Sequence, residues 1–329
     1  EIRSSILLTH YAYWSETPRP WGTYYDDNFL ADPSFYKRHI GDPKKPTRCF
    51  TKDKDIAISP WKTPSFWRQA FAKPASDDDD EMNRERRGLV FFAGDLGFRR
   101  LKGYSHDLRQ RAFSLFCNPS TTRKQDCTPF VYGCRTELPQ NCSLWRPGVT
   151  ITTHSQRYHD ELRSHTFCLA FPGDGWSSRV LDGLIHGCIP VVIQDESDMF
   201  FEGVFGTVGL GYDYSDFSVR LAEADLPKLV DVLTGIPLRR IKAMRKVVMH
   251  VRDYFVYKDM YNPSKQNREE LLSRGRPNQD GFLIIALGLE ARARALGRIT
   301  GKRRMWRSRN RLLLRAAEVS APLSRWKMS

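Results

Sequence analysis

"HTFCLAFPGDGWSSRVLDGLIHGCIPVVIQ", residues 165–194, decides the fold. "HTFCLAF" (165–171) and "IPVVIQ" (189–194) are short, nearly continuous apolar runs. Between them, "SSRVLDGLIHG" (177–187) places Val180, Leu181, Leu184 and Ile185 on one helical face. Ser177 stands where a hydroxyl caps a first turn, and Gly187 where a helix ends. A strand, a helix and a second strand with no polar alternation make a βαβ unit, hence a parallel sheet covered on both faces. The expected fold class is α/β.

Working outward, "DLPKLVDVLTG" (225–235) and "PLRRIKAMRKVVMHVRDYF" (237–255) read as helices. "FLIIALGL" (282–289) runs into "EARARALGR", an amphipathic helix too short in its apolar part to span a membrane. Upstream, "GLVFFAGD" (88–95) is a strand ending in Gly-Asp, and "SHDLRQRAFSLF" (105–116) a helix. "SILLTH" and "DIAISP" are strand-like. "KPASDDDDEMNRERRG" (73–88) is an acidic run followed by a basic one, and reads as a solvated loop. No internal repeat is visible. The 329 residues divide into an irregular part (1–150), a regular α/β part (151–260) and a helical, basic extension (261–329).

Net charge is +14, which favours anionic partners such as phosphates, nucleotides, acidic glycans or membrane surfaces. Much of the excess is local: Lys302, Arg303, Arg304, Arg307, Arg309, Arg311 and Arg315 form a terminal basic block whose charge does not belong to a site. That block lacks the aromatic interleaving of a nucleic-acid module, so no nucleic-acid partner is expected. Of seven cysteines, Cys117, Cys127, Cys134 and Cys142 crowd one Pro/Thr/Asn-rich stretch. With no C-x-x-C pair, disulfides in an oxidising compartment are expected there rather than zinc. Cys168 and Cys188, in apolar runs, are expected to be buried, inert thiols. Asn141-Cys142-Ser143 is a glycosylation sequon in the same loop and tilts the reading toward the secretory pathway.

The chemistry concentrates in "GDGWSSR" (173–179), after a strand and opening a helix. Ligands of open α/β sheets bind beyond the carboxyl ends of the strands. Ser177 and Ser178 offer hydroxyls, and Arg179 a planar cation that pairs with phosphate oxygens. Asp174 and Asp182 orient the arginine or accept from sugar hydroxyls. The bland alternative is a capped helix with a surface salt bridge. The pattern is neither G-x-G-x-x-G nor a Walker loop, so a dehydrogenase and a P-loop NTPase fit poorly. Glu202, just after the second strand, is placed to take ribose hydroxyls, or else is a loop glutamate paired with a nearby cation. Asp53-Lys54-Asp55 has metal-site spacing but precedes its strand and reads as a turn, so no metal is inferred. His10 and Asp95 end strands and are the candidate general bases.

"SHTFCLAFPGDGWSSRVLDGLIHGCIPVVIQDE", "FFEGV" and "YDYSDFSVRLAEADLPKLVDVLTGI", with "RCFTKDKDIAISPW" and "RRGLVFFAGD" before them, resemble the exostosin-type glycosyltransferases of family 47. Ala93-Gly94-Asp95 stands where that family often has a basic residue. The resemblance implies a GT-B architecture of two Rossmann-like domains facing a cleft. It implies a nucleotide-sugar donor, with UDP the expected nucleotide, held by Asp174, Ser177, Ser178, Arg179 and Asp182, with Glu202 at the ribose. It also implies inversion without a metal, no cofactor beyond the nucleotide-sugar co-substrate, and a glycan or glycoprotein acceptor. In full-length form such proteins are Golgi-lumenal type II membrane proteins, and some work as homo- or hetero-oligomers. The alternative is a family member that has lost turnover and serves as a glycan-binding or assembly subunit.

Overall fold

A computed structural model describes residues 6, 8–9, 50–71, 86–96, 104–118, 142–173, 177–195, 197–257 and 279–298. Its centre is a five-stranded, all-parallel sheet: β3 (Gly88–Ala93), β4 (Val149–Thr152), β5 (His165–Ala170), β6 (Ile189–Val192) and β7 (Val219–Arg220), in spatial order β4-β3-β5-β6-β7. A separate parallel pair joins β1 (Leu8–Thr9) to β2 (Ile56–Ala57).

The pleat sends alternate residues of β3 to opposite faces. On one face Phe92 packs against Phe171 and under Arg109, which belongs to helix α2 (Leu108–Phe116). On the other, Phe91 and Ala93 pack with Leu162 and Tyr158 of α3 (Tyr158–Ser164). Both faces are therefore covered, which is why β3, β5 and β6 show no polar alternation. The βαβ unit of the opening stretch is present: β5, then α4 (Arg179–Ile185), then β6, with Phe167 beside Ile189 and Leu169 beside Val191. Val180, Leu181, Leu184 and Ile185 are all buried, and Gly187 takes the left-handed conformation (φ 68°) that ends the helix.

Ser177 does not cap that helix. Ser178 holds the N-cap position with helical angles, and no side chain accepts from the first turn. Nor does the 105–116 helix begin at Ser105. Ser105, His106 and Asp107 form a turn of left-handed residues, and α2 starts at Leu108. Pro227 confines residues 223–228 to a 3-10 turn before α6 (Leu229–Thr234). After the short α5 (Val204–Thr207), α6 and α7 (Leu238–Val251), the expected terminal helix is α8 (Gly281–Ala295).

Two ties hold the amino-terminal side of this sheet. The Arg86 guanidinium, two residues before β3, donates to the carbonyls of Leu162, His165, His186 and Gly187 at 2.8–3.0 Å. Those lie at the ends of α3 and α4, where helix carbonyls lack intrahelical partners and a cation meets the dipole. A disulfide joins Cys168 of β5 to Cys188, just ahead of β6. These cysteines are buried as expected but are not free thiols. Cys117 and Cys142 form a second disulfide, within the expected cysteine-rich stretch.

The sheet takes strands from both sides of residue 150. Ile56, Ile284 and residues of β3, β4, β5 and β6 belong to one contiguous buried core, with Val219 of β7 packed against it. The α/β expectation holds as a parallel, Rossmann-like sheet. No helix among the described residues is long and apolar enough to cross a membrane.

Candidate functional site

The strand order follows the doubly wound pattern in which the first strand is flanked by the second and third. The chain leaves β3 toward β4 on one side and β5 toward β6 on the other. In such sheets the ligand crevice opens beyond the carboxyl ends of the two strands at that divergence, here β3 and β5.

Gly94 follows β3 at this point, and its backbone is approached by Arg179. A Cβ built on Gly94 would lie 3.0 Å from the Nη2 of Arg179 and 3.6 Å from its Nε. The other edge of the guanidinium is occupied: Nη1 donates to Oδ2 of Asp182 at 2.7 Å. Tyr158 O–H donates to the same Oδ2 at 2.7 Å, and its ring lies 5.2 Å from the guanidinium carbon. Lys62 Nζ lies 2.6 Å from Oδ1. Asp182 is fully buried, and burial alone would push its carboxyl up. Lys62, then Arg179, with hydrogen bonds from Lys62 and Tyr158, hold it down at about 2. Burial, then the charge of Asp182, pushes the Tyr158 hydroxyl up. Asp182 therefore orients the arginine; it is sealed from solvent and cannot also accept from a sugar. Ser177 lies two residues before Arg179. Its Oγ is buried and has no hydrogen-bond partner among the described residues, although a buried hydroxyl ordinarily has one.

Below this cluster, His186 Nδ1 donates to the Asp182 carbonyl at 2.7 Å. That assigns the proton to Nδ1, so neutral His186 accepts at Nε2, and His159 Nδ1 donates to it at 2.9 Å. Burial lowers His186 to about 3 and also lowers His159.

Asp95, an expected base, is exposed at the end of β3 with its carbonyl held by Arg109 Nη1. It follows Gly94, the residue that Arg179 approaches. Glu202 follows Phe201, a left-handed residue (φ 61°). Its Oε2 accepts from Met199 N and pairs with Arg220 Nη2, both at 2.6 Å. Oε2 is thus paired with a nearby cation, one of the two arrangements the sequence left open. Ser178 is partly exposed at the start of α4. Asp53-Lys54-Asp55 is a turn: Asp53 is left-handed, and Asp55 accepts from Thr51 N and pairs with Lys54. Asp174, His10 and Asn141 lie outside the described residues.

Two features went unread in the sequence. Lys62 and Tyr158 reach Asp182 from about 120 and 24 residues away, with no local pattern to announce them. His106 Nδ1 meets Glu223 Oε1 at 2.8 Å, and the same oxygen accepts from Asp195 N at 3.0 Å. Ser105 Oγ donates to Pro172 O at 2.6 Å, so this turn lies against the end of β5. Left-handed backbone at three non-glycine residues costs energy, and here Glu223 and Pro172 hold it in place.

Compared with known sequences, residues 41–236 match the Exostosin GT47 domain, 196 of the 329 residues. The chain belongs to the exostosin GT47 family. The GT47 match contains Lys62, Asp95, Tyr158, Arg179, Asp182 and Glu202. Among curated relatives, the rice (Oryza sativa subsp. japonica) "Probable glucuronosyltransferase GUT1" is 33% identical over 99 residues, 30% of this chain and 22% of the relative. The Arabidopsis thaliana "Probable beta-1,4-xylosyltransferase IRX10" is 30% identical over 98 residues, 30% of this chain and 22% of the relative. The matched part of this GT47 chain thus spans about a fifth of the length of these relatives.

Proposed function

We propose that this GT47 chain is an inverting glycosyltransferase that moves a sugar from a UDP-sugar to a glycan or glycoprotein hydroxyl. The observation that carries the reading is Arg179: one edge of its guanidinium is locked on Asp182 while the Nε–Nη2 edge faces Gly94 at the strand divergence. No partner for that edge occurs among the described residues. A fixed cation of this kind stabilises the charge that develops on a diphosphate as the glycosidic bond breaks. Ser177 Oγ, buried and unbonded, supplies a second donor to the same oxygens.

In this reading the acceptor oxygen attacks the anomeric carbon on the face opposite the diphosphate. Its proton passes to a base, and the nucleoside diphosphate departs. Asp95, on the next strand end, is the described candidate for that base; His10 is the other. Asp174 and Ser178 flank the diphosphate, and Glu202 reaches the ribose through Oε1, since Oε2 is taken. The charge stabilisation comes from Arg179, so no metal is required. A second Rossmann-like domain completes a GT-B cleft. Golgi residence accords with the two disulfides among the described residues, since such bonds persist in oxidising compartments. The names of the relatives make UDP-glucuronate and UDP-xylose the donors to try first.

Calorimetric titration with UDP and GDP, with and without magnesium, tests the reading beside Arg179→Ala. Metal-independent binding of UDP that Arg179→Ala abolishes is the expected result. Absence of nucleotide binding by the folded chain would overturn the transferase reading in favour of a turnover-less glycan-binding or assembly subunit. Transfer assays with the two UDP-sugars then name the donor.

A further inference from the structure

We infer that Lys62 is a positioning residue of the donor site: it occupies one oxygen of Asp182 and so keeps one edge of Arg179 open. The inference rests on the donor-site reading. Asp182 has two oxygens and two cations. Lys62 takes Oδ1 at 2.6 Å, and Arg179 takes Oδ2 at 2.7 Å through Nη1 alone. A guanidinium beside an unencumbered carboxylate favours two parallel hydrogen bonds, one to each oxygen. Here the second is not made: the Lys62 ammonium sits at Oδ1, and its like charge opposes the approach of Nη2 to that oxygen.

Lys62 comes from the segment between β2 and α1 (Pro64–Phe71), outside the five-stranded sheet. Its ammonium lies over the Phe66 ring at 4.8 Å, which fixes its approach. Phe66 in turn packs on His159 and His186, the pair under Asp182. The segment after β2 is thereby built into the underside of the cluster. With Lys62 neutralised, Oδ1 is a buried carboxylate oxygen without its cation. Arg179 is the remaining cation paired with Asp182 among the described residues. It turns Nη2 from Gly94 onto Oδ1, closing the edge that faces the ligand. Lys62 thus acts on the diphosphate without touching it.

The test compares wild type, Lys62→Met, Lys62→Arg and Arg179→Ala. UDP and GDP affinity is measured by calorimetry, and the Arg179 side-chain N–H signals by 15N NMR without nucleotide. Lys62→Met is expected to weaken UDP binding roughly tenfold or more while keeping the fold. Lys62→Arg restores it, and in an Asp182→Asn background Lys62→Met has no further effect. The Arg179 signals move in Lys62→Met and return in Lys62→Arg. Should Lys62→Met not fold, Lys62→Leu, which likewise leaves Oδ1 without a donor, carries the same comparison. Wild-type affinity in Lys62→Met, or effects of Lys62→Met and Asp182→Asn that add, would overturn the inference. If wild type binds neither nucleotide, the donor-site reading fails. The NMR arm then decides the link by itself: unmoved Arg179 signals in Lys62→Met sink it, and signals that move and return with Lys62→Arg sustain it.

Discussion

His159 and His186 face each other nitrogen to nitrogen, Nδ1 to Nε2 at 2.9 Å, with His186 anchored on the carbonyl of Asp182. Only one of the two facing nitrogens carries a proton in this arrangement. A second proton sets two N–H groups against each other. The contact therefore ties the ground beneath Arg179 to solution acidity.

The direction follows from burial. His186 titrates at about 3 in the folded chain and near 6.5 when unfolded. Between those values the unfolded chain binds a proton that the folded chain refuses. Stability is therefore complete above about pH 6.5 and drains as pH falls toward 3, by on the order of a few kcal/mol. Asp182, held at about 2, adds a further loss only as pH falls from about 4 toward 2. Urea denaturation across pH 4–7 should show a steep slope in wild type and a shallower one in His186→Gln. Equal slopes would refute the assignment.

Arg86 gives a second expectation. Its planar fork reaches four carbonyls, a pattern that three rotating ammonium protons cannot copy. Arg86→Lys should destabilise by about 2 kcal/mol or more, since hydrogen bonds to a charged group are lost and buried acceptors left bare. Thermal melts of the two proteins settle it; matching midpoints would show that the clamp contributes nothing.

The Cys168–Cys188 bond closes a loop with a sequence separation of 20. Loops of that size contribute roughly 3 kcal/mol. The double replacement Cys168→Ala with Cys188→Ala should lower unfolding stability by about that amount and leave the secondary structure intact. A variant as stable as wild type would mean that the sheet alone sets this register.

Gly94 separates folding from ligand capture. A new Cβ there meets the tip of the Arg179 side chain at 3.0 Å and the tip of the Phe92 ring at 3.2 Å, both of which need give only a few tenths of an ångström. Gly94→Ala is accordingly expected to fold and melt within about 1 kcal/mol of wild type. UDP binding should nevertheless fall at least several-fold as the guanidinium is displaced. Unchanged affinity would place the ligand elsewhere.

The elements readable in the sequence were those whose periodicity had no competitor. β5, α4 and β6 are apolar where buried, and Gly187 marks the helix end with a conformation other residues avoid. β4 went unread because Val149–Thr152 is four residues long with two threonines, and α3 because Tyr158–Ser164 has one buried residue, Leu162. The onset of α2 was misread because Ser105–Asp107 carries helix-compatible residues in a backbone fixed by Pro172 and Glu223, both distant in sequence. Arg179 was legible from its place after a strand. That Asp182 would be sealed rather than ligand-facing was not, since Lys62 decides it through space. The paired thiols of Cys168 and Cys188 were hidden for the same reason: two apolar strands side by side look like two separate buried sites until their register is known.

The interior strand β3 is also the first of the five to be made. β3 emerges from the ribosome about 60 residues before β4 and about 75 before β5, the two strands that flank it. Until then its run of Leu89, Val90, Phe91 and Phe92 has two open edges and nothing to pair with. Such unpaired apolar edges invite association with other chains. The sixteen residues before it, with their tract of aspartates followed by arginines, place dense charge beside that segment during the wait. Nascent chains halted before residue 149 should consequently be the aggregation-prone species in biosynthesis, and shortening the charged tract should cost yield of soluble protein rather than stability of the finished fold.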